Sequence, residues 1–142
     1  MADEMDDIVN DFIVETAESL NSLDEKLVLL EKDPDNLDLL NSVFRSAHTI
    51  KGAAGFLGFN QMVEVAHHAE NLLNKLRQGQ IKNNPRITDA VFKAMDMLKT
   101  LLHNVKEKTG KEEDITGVLT AIKNVEASEP APAQAQPDAV PQ

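Results

Sequence analysis

The chain has 142 residues, no cysteine and a formal net charge of −10, which is one domain's worth of sequence with room for a real core and no disulfide framework or thiolate metal site. No run approaches the ~20 apolar residues of a membrane span, and the acidic first residues argue against a secretory or transit leader, so the expected location is cytoplasmic, with no direct membrane insertion. Residues 1–35 hold twelve of the 24 acids beside only Lys26 and Lys32, a distribution that repels phosphates and argues against nucleic-acid binding.

Four long stretches repeat apolar residues with helical periodicity, and none alternates convincingly with period two. The first helix is predicted over 3–32, with Val9, Phe12, Leu20, Leu23, Leu27 and Leu30 as its stripe and Thr16 filling the gap; Asp33-Pro34 stops it. The second, 36–56, starts from a cap at Asp35 or Asn36. Its buried stripe reads Leu37, Leu40, Phe44, Ala47, Ile50 and Ala54, and Gly58 terminates it. Asn60 is expected to cap a third helix over 60–78, with Met62, Val65, Ala66, Ala69, Leu72, Leu73 and Leu76 inward and Gly79 at its end. Asn84-Pro85 has the form of an N-cap followed by an N1 proline. It opens a fourth helix over 85–108 whose core face is Ile87, Val91, Ala94, Met95, Leu98, Leu101, Leu102 and Val105. A shorter fifth helix is predicted over 111–125 from Ile115, Val118, Leu119 and Ile122.

Short connections favour antiparallel neighbours. The fold class is therefore all-α: an up-down-up-down antiparallel four-helix bundle, with the additional fifth helix on its outside or end. From Ala127 the composition changes. The last sixteen residues hold four of the six prolines and five alanines, with no leucine, isoleucine or aromatic residue, and read as a flexible linker over 127–142 after a domain over 1–126. A linker with nothing after it is expected of a domain that belongs to a longer protein.

The informative segment is His48-Thr-Ile-Lys51-Gly52 in the second helix. His48 lies about 100° around the helix from Ala47, at the edge of the buried stripe, and Lys51 follows one turn on along the same face. Gly52 costs roughly 1 kcal/mol against alanine inside a helix, which makes sense if something large must approach closely. On the third helix His67, Glu70 and Asn74 share a side displaced from its apolar stripe. If the two helices are antiparallel neighbours joined near Gly58, His48 and Glu70 stand at similar heights, within hydrogen-bond reach. That arrangement fits phosphoryl acceptance by histidine: a carboxylate holding one ring N–H fixes the tautomer and stabilises the positive charge that develops on attack. Lys51 offsets phosphoryl charge, and Arg45 attracts an anionic donor. The chain has no phosphate-cradling loop or Mg²⁺ carboxylate cluster, so it reads as a substrate for transfer rather than as a kinase.

The run from Val43 to Phe59, Val-Phe-Arg-Ser-Ala-His-Thr-Ile-Lys-Gly-Ala-Ala-Gly-Phe-Leu-Gly-Phe, closely resembles the phosphorylation-site helix of the CheA family of chemotaxis sensor kinases, which begin with a histidine-containing phosphotransfer (HPt) domain. The resemblance continues through His67-His-Ala-Glu70-Asn-Leu-Leu and Leu76-Arg77-Gln-Gly79. At the level of helix pattern it covers residues 5–125. It implies that His48 is phosphorylated from Mg-ATP by a separate kinase catalytic domain of the same protein, in trans within a dimer. The phosphoryl group then passes to aspartate on response-regulator receiver domains of the CheY or CheB type. Lys51, His67 and Glu70 are implied to support the reacting histidine. On this reading the chain alone is not an enzyme and holds no cofactor; the parent protein is the histidine protein kinase. One departure is local: Ala53 follows Gly52 where many relatives carry a second glycine.

Four other readings stand beside this one. The same chemistry would serve an HPt module of a non-chemotaxis hybrid kinase, or a stand-alone phosphotransfer protein. A metal-binding bundle is suggested by Glu64-x-x-His67, the spacing of di-iron carboxylate sites, although those need a second such pair. A purely structural helical adaptor leaves the His-Lys-Gly constellation unexplained. His68 and His103 read as surface or boundary residues, and the methionines as core filler.

Overall fold

The computed structural model describes residues 2–128. It contains five α-helices: α1 Ala2–Lys32, α2 Leu37–Leu57, α3 Asn60–Arg77, α4 Pro85–Lys106 and α5 Thr116–Ser128. In the bundle α1 packs on α2 and α4, α2 on α3, and α3 on α4, which closes a ring of four; α5 lies outside, against α3 and α4. Side-chain pairings run in opposite directions along neighbours. Asn41 meets Arg77 while His48 meets Glu70, so α2 and α3 are antiparallel.

The ends of the helices follow from local chemistry. Asn36 caps α2 by accepting the Leu39 N–H at 3.1 Å, and Asn84 caps α4 by accepting from Arg86 and Ile87 at 2.9 and 3.1 Å, with Pro85 next in line. Gly58 ends α2 at φ 80°, a left-handed conformation that glycine adopts without penalty, and the Phe59 N–H turns back to Ala54 at 2.9 Å. Asn60 is the first helical residue of α3, not its cap; Phe59 holds the cap position and makes no side-chain capping bond. The expected cap fails because the turn after Gly58 is so short that Phe59 is spent on it, its ring packing on Phe12 with centroids 5.4 Å apart.

Apolar periodicity places most of the core correctly. Phe12, Leu20, Leu23, Leu27 and Leu30 of α1 are buried with Thr16, as are all seven stripe residues expected of α3. On α2 the stripe turns by about one residue. Val43 is fully buried, Phe44 is half-buried and Leu37, the first residue of α2, is exposed, although Leu40 in the same turn is buried. Val9 and Val105 are likewise half-buried. At the same end as Leu37, buried Asn83 donates to the Pro34 carbonyl at 3.1 Å and accepts from Thr88 at 3.1 Å, tying the α3–α4 link to the α1–α2 turn.

The fifth helix begins at Thr116 rather than 111. The intervening stretch is held in another way: the Gln61 amide donates to the Glu113 carbonyl at 2.7 Å and accepts the Glu113 N–H at 3.0 Å. A helix through Glu113 would need that carbonyl for its own ladder. Asp114 accepts the Thr116 N–H at 3.0 Å and starts the helix there. This bond, with one from the Thr116 side chain, holds the Asp114 carboxyl below its ordinary range. At its other end α5 runs through Ser128 and so takes in the first two residues of the expected linker; the rest of that linker, 129–142, lies outside the described residues.

Candidate functional site

The site sits where α2 and α3 face each other at mid-height. Ala47 and Ala54 on α2, and Ala66 and Ala69 on α3, are fully buried. Small side chains in these positions let helices approach closely. His48 and Lys51, three residues apart on α2, flank the carboxylate of Glu70 on α3. Glu70 uses its two oxygens separately, Oε2 for His48 Nδ1 and Oε1 for Lys51 Nζ at 2.7 Å. The three side chains differ sharply in exposure: His48 63%, Lys51 28%, Glu70 9%. The acid is sealed in, and the imidazole stands out.

Burial by itself pushes the Glu70 carboxyl up, but the hydrogen bonds and positive charge supplied by Lys51 and His48 outweigh it and hold the group below its usual value. Glu70 is therefore ionised at neutral pH and acts only as an acceptor. Nδ1 of His48 must then be the donor. The ring's other nitrogen, Nε2, has no hydrogen-bond partner among the described residues and faces solvent with an open lone pair when the ring is neutral.

His67 is not brought into this group. It is exposed, and its ring contact is with His68, at 6.0 Å between centroids. The Glu64-x-x-His67 pair acquires no further ligands: among the described residues no three His, Cys, Asp or Glu side chains come together as a metal site would need. His68 is tied to the Glu64 carbonyl at 2.9 Å, and Arg45 and His103 are exposed.

Two neighbours of His48 were not legible as part of the site. Phe44, one turn back on α2, lies nearly parallel to the imidazole, with 15° between the planes and 6.3 Å between centroids. Arg77 of α3 covers the Phe44 ring at 4.0 Å. The available signal was the i, i+4 spacing of Phe44 and His48. In the other direction along the same face come Gly52 and then Phe56, which is 82% exposed.

The Hpt domain family matches residues 7–108. The chain is 41% identical over 130 residues to the sensor histidine kinase CheAY of Helicobacter pylori, a match covering 88% of this chain and 16% of that protein. The chain thus spans less than a fifth of the length of that curated relative. Among solved structures, the solution structure of the histidine phosphotransfer domain of CheA superposes with a TM-score of 0.77 at 34% identity, over 84% of this chain and 92% of that one. The fold is also that of the phosphorylated P1 domain of CheA3 from R. sphaeroides, solved in complex with CheY6 (TM-score 0.75, 22% identity, 86% and 97% covered). Family match, sequence identity and superposition agree, and this chain belongs to the Hpt domain family, with the histidine phosphotransfer domain of CheA as its near relative.

Proposed function

We propose that His48 accepts a phosphoryl group on Nε2 and passes it on, and that Glu70 and Lys51 prepare it to do so. The observation that carries this reading is the division of the imidazole: Nδ1 is bound to a buried, ionised carboxylate, and Nε2 is open to solvent. In the forward step the Nε2 lone pair forms the N–P bond to the γ-phosphorus of ATP. The P–O bond to the β-phosphate breaks, and ADP leaves with its electron pair. The ring keeps its Nδ1 proton and becomes cationic, and Glu70 stabilises that charge at contact distance. Lys51, part-exposed beside the same carboxylate, offsets charge on the phosphoryl oxygens.

ATP and Mg²⁺ belong on this reading to a separate kinase catalytic domain of the parent protein, acting in trans in a dimer. The acceptor of the second step is an aspartate on a receiver domain of the CheY or CheB type. Support for that partner is the fold shared with the CheA3 P1 domain found with CheY6, together with the kinship to CheA-type kinases. We place the domain in the cytoplasm, where ATP is available; among the described residues no helix is long and apolar enough to cross a membrane. His67, outside the bonded group, is left without a part in the transfer chemistry.

The test is incubation with a CheA-type kinase catalytic core and labelled Mg-ATP, followed by mapping of the label. An acid-labile, alkali-stable label on His48, absent from His48→Gln, is the expected result. Because the His48 side chain is mostly exposed, the variant should retain its helical content. Label at another residue, or none beside a competent control domain, overturns the proposal.

A further inference from the structure

We propose that Phe44 is a positioning residue for His48, setting the plane of the imidazole, and that Arg77 locks Phe44 in place. The inference deepens the phosphotransfer reading and rests on it.

An imidazole lone pair lies in the plane of the ring, so the tilt of the ring sets the line along which Nε2 attacks. Phosphoryl transfer is governed by positioning, with nucleophile, phosphorus and leaving oxygen roughly in line. The Glu70 bond holds only Nδ1. It leaves the exposed ring free to swing about that contact. A second restraint comes from Phe44, whose ring runs within 15° of parallel at 6.3 Å between centroids, the geometry of an offset stack. One turn the other way stands Gly52, which has no side chain to offer. The restraint on the ring is therefore one-sided: Phe44 sets its tilt from one face, and the Nε2 edge stays open to a reactant.

Phe44 is itself held. It is half-buried and packs against the core, and the Arg77 guanidinium lies over its ring at 4.0 Å. That guanidinium cannot wander: Nε donates to Asn74 at 2.9 Å on its own helix, and Nη1 donates to Asn41 at 3.3 Å across on α2. The planar fork of arginine makes both bonds while keeping its face on the ring, which a lysine ammonium cannot do. Glu70 and Arg77, seven residues apart on α3, thus restrain the same histidine, one directly and one through Phe44.

The experiment compares Phe44→Leu, Phe44→Tyr and Arg77→Lys with the parent domain. It measures the rate of labelling by a kinase catalytic core at varied domain concentration, and the NMR signals of the His48 ring protons. Leucine keeps apolar bulk without a plane, and tyrosine keeps the plane. Phe44→Leu is expected to lower the rate at saturating domain by about tenfold, with the half-saturating concentration unchanged. The His48 signals should lose the ring-current shift of the stacked neighbour. Phe44→Tyr should restore both. Arg77→Lys should move both in the Phe44→Leu direction by less, and add nothing to Phe44→Leu in the double variant. Arg77 lies outside the core, so Arg77→Lys carries the test if Phe44→Leu does not fold. A parent-like rate in Phe44→Leu, or a change confined to half-saturation, overturns the inference while the phosphotransfer reading stands. An unlabelled parent domain overturns that reading, and the ring-current shift then still decides whether Phe44 orients His48.

Discussion

The carboxylate of Glu70 on α3 receives the Nδ1–H of His48 on α2, so an acid sealed inside the bundle orients a ring that stands in solvent. The division matters because each partner needs the opposite environment. Glu70 must resist water to hold one geometry and one charge state. The imidazole must meet a phosphodonor from another domain.

Removing the acid should therefore impair the nucleophile without abolishing it. Glu70→Ala is expected to slow labelling of His48 by about tenfold or more, with the modified residue unchanged. Glu70→Gln can still accept the Nδ1 proton but carries no charge for the cationic ring, and should fall between. Lys51→Ala should lose less, because Lys51 touches the carboxylate and not the imidazole. Initial rates of incorporation from labelled ATP check the order. Equal rates in Glu70→Ala and the parent domain would remove the bond from the mechanism.

The same carboxylate makes folding depend on acidity. Its folded-state pKa lies below the usual value of 4.5, so the unfolded chain binds this proton more readily than the folded one. The stabilisation is present above pH 4.5 and is lost as the pH falls through the lower, folded-state value. Charge-assisted hydrogen bonds from partly exposed partners contribute about 1 kcal/mol. Glu70→Gln should be less stable than the parent domain by that order at pH 7. The gap should close on acidification below 4.5. Urea midpoints at pH 7 and pH 3 measure it, and a gap that widens in acid contradicts the sign.

For His67 the resemblance and the geometry point in different directions. The family pattern has it supporting the reacting histidine, whereas the structure leaves it exposed beside His68. His67→Ala is expected to change the labelling rate by less than about threefold, clearly less than Glu70→Ala. A loss matching that of Glu70→Ala would show that His67 enters the Glu70 group when the phosphodonor is present.

Sequence patterns reveal a good deal of this molecule, and the reasons differ by element. The four bundle helices are legible because their apolar residues recur with helical period and their ends carry Asn36, Gly58, Gly79 and Asn84. The pairing of His48 with Glu70 is legible because a two-residue turn makes register a matter of counting from Gly58. The start of α5 is not, since what stops a helix through Glu113 is the Gln61 side chain, 52 residues away. Nor is the exposure of Leu37, which shares the apolar spacing of buried Leu40. The Phe44–Arg77 contact joins two helices through a cation and a ring, a pairing that no apolar period records. Leu37 and Leu40 carry the same apolar label in a sequence, and one is exposed while the other is buried.

Gly52 offers the sharpest separation of folding from function. A glycine inside a helix costs about 1 kcal/mol against alanine, and here the fold offers no reason for it. A Cβ at Gly52 would meet no heavy atom within 4 Å beyond its own stretch of helix, and its φ is not the left-handed kind that favours glycine. Gly52→Ala should therefore stabilise the domain by about 1 kcal/mol and raise its melting temperature by a few degrees. One turn from His48 on the exposed face, the added methyl would stand where a partner's surface must come down to reach Nε2. Phosphoryl transfer from labelled His48 to a receiver domain should then slow by about tenfold, with the imidazole NMR signals of the unphosphorylated domain unchanged. Calorimetry and transfer kinetics on the one variant give both numbers. A more stable domain that transfers at the parent rate would mean that the bare face of α2 is not where the receiver docks, and the approach to His48 would then have to come over α3.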